Sequence, residues 1–233
     1  MSRLTRIDLT DIPQHIVQRG NNRLPCFLDD GDQPGYLHLL HEALQATGRK
    51  LHAYVLMENH VHLLVTPAAA GRIGQLMQRL GRNYVALFNG RHGRTGTLWE
   101  GRYKACLVNS ADYVLSCYRY IELNPVRARL THDPASYRWS SCPANLGQRR
   151  HSALTPHPCW LALGNDPIER CNAYRALLDE ALPDELLASI RLHLKQQRAL
   201  GYDAFRAMVQ AETRRFAGVR PAHRPCNPSA VDK

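Results

Sequence analysis

The segment ENHVHLLV, residues 58–65, carries two histidines separated by a single residue. Because side chains alternate between the two faces of a β-strand, we expect His60 and His62 to point to one side and Val61 to the other. Two imidazoles on one face supply half of a metal site, so a second element must provide the remaining ligands. Taken alone, the pair is at least as compatible with two histidines that are simply hydrogen-bonded within a strand.

A second group of polar side chains falls in SADYVLSCYRYIEL, residues 110–123, which has helical periodicity and a candidate N-cap at Ser110. Tyr120 lies about 200° around the helix from Tyr118 and therefore belongs to another face, one turn before Asn124. Pro125 disfavours helical geometry at Asn124, so this alignment requires the helix to continue into its last turn. The residues predicted to form the buried stripe are Val114, Cys117, Tyr118 and Ile121.

Brought together, these groups would form a reactive centre. The imidazoles of His60 and His62 and the amide oxygen of Asn124 are suitable ligands for a divalent cation. Tyr120 would then be the nucleophile, because a phenol with a pKa of about 10 attacks poorly at neutral pH unless a cation stabilises the developing charge. Each residue also has a purely structural interpretation, with Asn124 as a helix C-terminal residue and Tyr120 as a packed or exposed aromatic.

The elements that must position these residues follow the order β-α-β-β-α-β. The predicted strands are HIVQ (15–18), LHAYVLM (51–57), HVHLLV (60–65) and part of TGTLWEGRYKACLV (95–108), and the predicted helices are YLHLLHEALQATG (36–48) and IGQLMQRLGRNYVALFN (73–89). This order predicts an α+β fold with a ferredoxin-like or RRM-like antiparallel sheet, helices on one face and an added helix that bears Tyr120. The other face of the sheet would be open to a substrate.

A domain boundary is predicted near residue 150, after a stretch in which Pro, Ser and Gly accumulate. Residues 1–148 would form the catalytic domain and residues 149–217 a helical extension, with helices near 167–182, 184–199 and 203–217. Residues 218–233 have the composition of a disordered tail. The extension contains RLHLKQQR (191–198), which is either a DNA contact or an ordinary solvated basic face.

Positive charge is concentrated in the middle of the 233-residue chain, whose net formal charge is +10. Residues 72–148 carry 11 Lys and Arg against 4 Asp and Glu, which favours a polyanion such as nucleic acid as the partner. No apolar run reaches the roughly 20 residues of a membrane span, and the first residues lack the apolar stretch of a secretory signal. The seven cysteines include no Cys-x-x-Cys pair, so we expect a cytoplasmic protein whose cysteines serve mainly in packing.

Four segments resemble, in this order, the REP-associated tyrosine transposases of the HUH single-tyrosine superfamily: RGNNR…FLDD, LHAYVLMENHVHLLVTP, FNGRHGRTGTLWEGRYKACLV and CYRYIELNPVRA. The resemblance spans residues 12–143. It implies a single-stranded DNA endonuclease and strand transferase in which Tyr120 forms a covalent 5′-phosphotyrosine and a free 3′-hydroxyl is released. His60, His62 and Asn124 match the family's metal ligands, the metal usually being Mg²⁺ or Mn²⁺. Many relatives have Gln at the position of Asn124, whereas the REP-associated branch has Asn and recognises hairpin-forming repeats.

Single-stranded or hairpin DNA is therefore the expected partner, bound by a monomer or a homodimer. A strand laid across the sheet requires cationic contacts to its phosphates and aromatic faces for its unpaired bases. Trp99 is equally suited to stacking on a base and to packing under the sheet. The predicted DNA-binding residues are Arg79, Arg82, Arg91, Arg94, Trp99, Arg102, Lys104, Arg119 and Arg127.

Two other functions use a similar surface. A regulator that binds hairpin DNA without cutting it is expected to have lost at least one of the four site residues, but His60, His62, Tyr120 and Asn124 are all present. An RNA-binding sheet of the RRM type predicts paired aromatics on the central strands, where HVHLLV has histidines. Both comparisons favour the enzyme.

Overall fold

A computed structural model describes residues 6–109 and 113–220. Its centre is a four-stranded antiparallel sheet in the spatial order β2-β3-β1-β4, formed by β1 (Gln14–Arg19), β2 (Arg49–Met57), β3 (His60–Pro67) and β4 (Lys104–Leu107). Helix α1 (Asp32–Thr47) connects β1 to β2, and α2 (Arg72–Arg91) connects β3 to β4. The predicted α+β class, the element order and the ferredoxin-like sheet are confirmed.

The remaining helices follow the sheet along the chain. They are α3 (Val114–Glu122), α4 (Asn124–Arg127), α5 (Cys142–Asn145), α6 (Pro158–Leu161), α7 (Pro167–Asp179), α8 (Asp184–Gln196) and α9 (Asp203–Thr213). The three helices predicted in the extension are therefore present, and each ends three or four residues earlier than expected. The predicted N-cap Ser110 lies outside the described residues.

One face of the sheet packs against α1 and α2 and is almost entirely apolar. Ile16 and Leu63 from the central strands meet Tyr84 and Phe88 of α2 in this core, and all four are fully buried. Helix α1 ends where Gly48 adopts a left-handed conformation (φ 62°), which a residue without Cβ takes at no steric cost. The predicted end of this helix at Gly48 is confirmed.

The other face of the sheet is covered by α3 and by part of the extension. The buried stripe of α3 packs on this face together with Trp160, Tyr174 and Ile190 from α6, α7 and α8. The expectation of a wholly open second face was wrong, because these helices need an apolar surface to cover and the sheet offers one. What remains accessible is the end of the face where β1 finishes at Arg19 and β3 starts at His60.

Helices α6, α7 and α8 share their core with the sheet rather than forming a core of their own. The division into a catalytic domain and an extension at residue 148 therefore stays a prediction. Of the predicted tail, Gly218–Arg220 is described, and the backbone N–H and C=O of Arg220 both hydrogen-bond the side chain of Gln196. Among the described helices, none combines the length and apolar character that crossing a membrane requires.

Candidate active site

The two histidines of the HVH segment lie on β3, with β1 on one side and β2 on the other. The register places His62 opposite Val17 of β1 and Val55 of β2, and His60 opposite Arg19. His62 is buried and His60 half-buried, on the face that α3 covers. Val61 joins the opposite core, so the predicted alternation along β3 is confirmed.

Each of these imidazoles has one ring nitrogen engaged in a hydrogen bond. His60 Nδ1 lies 2.7 Å from Asn59 Oδ1, and because a carboxamide oxygen only accepts, His60 Nδ1–H is the donor. His62 Nδ1 lies 2.8 Å from Nε2 of His15, a buried residue of β1. Within the described chain, neither Nε2 of His60 nor Nε2 of His62 has a hydrogen-bond partner.

Burial keeps all three histidines of this cluster uncharged at neutral pH. It lowers the pKa of His60 to about 4, with a further contribution from the positive charge of Arg19. It also lowers the pKa of His15 to about 3 and that of His62 well below its usual range. A neutral imidazole retains the lone pair that a metal ion requires.

Helix α3 places Tyr120 directly against these histidines. Its ring meets the His62 ring edge-on with centroids 5.9 Å apart, and the His15 ring with centroids 5.5 Å apart. Tyr118, on the other side of the helix, is buried toward the extension, where its hydroxyl accepts the backbone N–H of His157. The structure thus brings Tyr120 of α3 next to the histidine pair of β3.

The chain keeps a helical course past the end of α3. Leu123 N–H bonds Arg119 C=O at 2.9 Å, and Ala128 N–H bonds Asn124 C=O at 2.9 Å, so a single residue separates the end of α3 from the start of α4. Asn124 lies one turn beyond Tyr120, and its side-chain Nδ2 is buried without a partner among the described residues. Arg127 lies over the Tyr120 ring at 4.4 Å and donates to the Tyr120 carbonyl oxygen.

Two exposed cations border the same end of the sheet. Lys104 of β4 is paired with Val17 and therefore points to the histidine face, as does Arg19 at the end of β1. Sequence reasoning identified Lys104 but not Arg19 or His15. His15, Val17 and Arg19 alternate along β1 and therefore share one face of the sheet. This pattern connects His15 and Arg19 with the histidine pair only when β1 is known to pair with β3.

Three of the predicted DNA-binding residues have other partners, which is a correction. The Arg91 guanidinium is held by Asp29 and Asp32. Arg119 is buried and donates to the Glu180 carbonyl oxygen at 2.7 Å. Trp99 is 6% exposed and packs against Tyr84 in the core beneath α2, so packing under the sheet is the correct alternative.

Four other predicted DNA-binding arginines are exposed but are not grouped with the histidines. Arg79 and Arg82 lie on the outer surface of α2, which covers the opposite face of the sheet. Arg94 follows that helix and reaches over the Phe88 ring at 5.4 Å. Arg102 is exposed in the segment before β4. Of the nine predicted residues, Arg127 and Lys104 are the two that the described structure places on the histidine face.

A second cluster of potential metal ligands consists of Asp29, Asp32 and His92. Asp32 is completely buried and accepts from Leu28 N–H at 2.7 Å, from Arg91 Nε at 3.0 Å and from His92 Nε2 at 2.9 Å. These donors already occupy the carboxylate at the start of α1. The cluster therefore has the chemistry of a structural ion-pair network, in which a cation would have to displace an arginine.

A fold of this kind, with histidines and a tyrosine buried under a basic rim, suits an enzyme that acts on a polyanion. Residues 8–124, half of the chain, match the family model of IS200-like transposases. The chain therefore belongs to the IS200-like transposase family and is a transposase, an enzyme of DNA transposition and recombination. No curated protein sequence matches the chain significantly.

Solved structures similar to this chain include two transposases. A REP-associated tyrosine transposase bound to a REP hairpin superimposes with a TM-score of 0.50 at 16% identity, covering 67% of this chain and 99% of that one. A transposase candidate from Deinococcus radiodurans R1 gives a TM-score of 0.35 at 20% identity, covering 56% of this chain and 91% of that one. At this identity the first likeness establishes the fold, and the second is too distant to add to it.

Proposed function

We propose that this transposase is a metal-dependent single-stranded DNA endonuclease and strand transferase that acts at hairpin-forming repeats through a covalent 5′-phosphotyrosine on Tyr120. The observation that carries the proposal is the edge-on packing of the Tyr120 ring against His62, at a centroid distance of 5.9 Å. A tyrosine with only a packing role has no need of imidazoles beside it. A nucleophilic tyrosine must lose its proton beside a phosphate, and imidazoles that hold a cation there would assist this step.

The donors around Tyr120 fit a divalent cation. His60 and His62 have their Nδ1 atoms engaged and their Nε2 atoms without a hydrogen-bond partner among the described residues, and Asn124 offers a carboxamide oxygen one helical turn from Tyr120. These three side chains would hold Mg²⁺ or Mn²⁺, and two imidazoles with one amide suit Mn²⁺ better than the harder Mg²⁺. A divalent cation, when bound, supplies positive charge beside the scissile phosphate.

The proposed reaction conserves the energy of the phosphodiester bond. Tyr120 Oη bonds to phosphorus while the bond from phosphorus to the 3′-oxygen breaks. The phenol proton passes to solvent, and the departing 3′-oxygen takes up a proton to become a free hydroxyl. Arg127, stacked on the phenol ring, stabilises negative charge on Tyr120. Attack by another 3′-hydroxyl reverses the step and rejoins the strand.

The substrate assignment rests on charge and on family. Arg19, Lys104 and Arg127 border the site with positive charge suited to a phosphate backbone. Asn124 at the last ligand position favours the REP-associated branch, and the structural relative was solved with a REP hairpin. A palindromic repeat is therefore the substrate to test first.

The test is to incubate the protein with Mn²⁺ and end-labelled single-stranded DNA that carries a palindromic repeat, then to separate the products on a denaturing gel. We expect a protein–DNA adduct that disappears with Tyr120→Phe and with chelator. Tyr118→Phe is the matched control, because it removes the neighbouring hydroxyl of the same helix and should keep the adduct. Hairpin DNA that is bound but never cut, across repeats and metals, would instead support the regulator that binds without cutting.

A further inference from the structure

We propose that His15 is a positioning residue that accepts the hydrogen bond of His62 Nδ1–H and so keeps His62 in the tautomer that can bind a metal. The inference deepens the proposed function, because it concerns the metal site of that function. His15 makes no contact with substrate in the proposed reaction. It acts through His62.

The geometry places His15 as a direct neighbour of His62 across the β1–β3 pair. His15 is opposite Leu64, two residues from His62, so both imidazoles point to the same face. Their centroids are 5.0 Å apart, and His15 Nε2 lies 2.8 Å from His62 Nδ1. His15 has no solvent exposure, so water cannot take over its part in this hydrogen bond.

Counting protons decides which of the two rings donates. Two neutral imidazoles place a single proton between His15 Nε2 and His62 Nδ1. If His15 donates, His62 carries its own proton on Nε2 and has no lone pair to give a metal. If His62 donates, its Nε2 is free, which is the arrangement that His60 already has through Asn59 Oδ1. A metal site built from both Nε2 atoms therefore requires His15 to accept.

This assignment leaves one buried donor of His15 unsatisfied. With Nε2 of His15 as the acceptor, its proton lies on Nδ1, which is buried without a partner among the described residues. Buried donors without partners are rare because they cost stability. Because His15 carries this cost in stability, we assign its role to the metal site and not to the fold. Replacing His15 with an apolar ring should therefore leave the protein folded.

The experiment uses the His15→Phe variant, which keeps an aromatic ring against Tyr120 but has no acceptor. Long-range ¹⁵N NMR of the metal-free protein reports the tautomer of each histidine, and titration with Mn²⁺ followed by EPR reports the affinity. We expect wild-type His62 to carry its proton on Nδ1, and His15→Phe to shift it toward Nε2. The affinity for Mn²⁺ should fall about 10–100-fold, as expected for loss of an outer partner of a metal ligand.

Two further variants complete the design. His15→Gln, whose carboxamide oxygen can accept, should recover part of the Mn²⁺ affinity that His15→Phe loses. His52→Gln alters another buried strand histidine, which bonds Thr155 and Thr66 and not the site, and should leave the Mn²⁺ affinity unchanged. Circular dichroism verifies that each variant is folded.

The outcomes separate this inference from the proposed function. Wild-type His62 protonated on Nε2, or a Mn²⁺ affinity unchanged in folded His15→Phe, would overturn the role of His15 while leaving the metal site standing. A Mn²⁺ affinity unchanged in His60→Ala would overturn the metal site itself. In that case the tautomer of His62 in wild type and in His15→Phe still decides whether His15 is the acceptor.

Discussion

Two polar clusters in the described part of the chain have the composition of a metal site, and they differ in how fully their hydrogen-bonding groups are used. At the start of α1, the Asp32 carboxylate is surrounded by donors from Arg91, His92 and the backbone of Leu28. On the sheet, His60 and His62 each use Nδ1 within the protein and leave Nε2 without a partner in the described chain. A satisfied cluster stabilises the fold, whereas an unsatisfied one is available to a ligand.

The largest expected effect is on stability, and it appears when a mutation in the Asp32 cluster is compared with one in the histidine cluster. Asp32→Ala leaves Arg91 and a backbone N–H without their buried acceptor, so we expect it to lower the free energy of unfolding by about 3–5 kcal/mol. His60→Ala should lower it by less than about 1 kcal/mol, because His60 is half-buried. Urea unfolding measures both values. Mn²⁺ binding should be lost in His60→Ala and kept in folded Asp32→Ala. Loss of Mn²⁺ binding in a folded Asp32 variant would contradict the comparison.

Glu122 provides a second satisfied cluster, close to the site in sequence. It is completely buried, and accepts from Ser141 at 2.5 Å, Tyr174 at 2.6 Å and Asn145 at 2.7 Å, while burial raises its pKa to about 7. Glu122→Ala leaves three donors unpaired and should cost about 3–4 kcal/mol of stability. Glu122→Gln, which keeps one acceptor, should cost clearly less. Thermal and urea unfolding of the pair measure the difference, and equal losses would contradict the network.

His52 extends the comparison to a histidine whose two ring nitrogens are both bonded, to Thr155 and Thr66. Burial lowers its pKa to about 4, with smaller contributions from His157 and Lys50. Below a pH of about 6.5, His52 binds a proton in the unfolded chain but not in the folded chain. The free energy of unfolding therefore falls as the pH drops from about 6.5 to about 4. Because one pKa unit corresponds to about 1.4 kcal/mol, His52 accounts for a loss of roughly 3 kcal/mol in the free energy of unfolding over this range.

The measurement is the free energy of unfolding at a series of pH values, in wild type and in His52→Gln. The variant should show a shallower decrease between pH 6.5 and 4, and no difference in slope above pH 7. A slope identical to that of wild type would mean that His52 is protonated equally in the folded and unfolded states.

The smallest expected effect distinguishes the two faces of the sheet. Arg127→Gln removes the cation over Tyr120 and should slow adduct formation about tenfold, corresponding to roughly 1.4 kcal/mol. Arg79→Gln removes an exposed charge on the far side of the sheet, and its effect on the same rate should stay within about twofold. Single-turnover rates measure both. Equal effects would place the DNA path across α2 as well.

Much of the site could be predicted because it depends on local periodicity. Alternation along β3 put His60 and His62 on one face, and helical spacing put Tyr120 away from Tyr118 and one turn from Asn124. The meeting of β3 with α3 could not be worked out from periodicity alone. It came from the resemblance to a known family, whose motifs connect the two segments.

The features that the sequence did not predict depend on contacts between segments far apart in the chain. His15 and Arg19 acquire their roles through the pairing of β1 with β3, and no local pattern specifies which strands pair. Arg91, Arg119 and Trp99 were chosen for DNA binding by residue type. Arg91 and Arg119 instead bond Asp32 and the Glu180 carbonyl oxygen, both distant in the sequence, and Trp99 packs against Tyr84 in the core. The covered second face has the same origin, since α6, α7 and α8 pack onto the sheet from the far end of the chain.

The most direct test of the central claim is to locate Mn²⁺ in a crystal by its anomalous scattering. The account predicts a peak within coordination distance of Nε2 of both His60 and His62, and no peak at Asp29 and Asp32. A peak at the acidic cluster, or none at the histidines of a crystal soaked at saturating Mn²⁺, would contradict it.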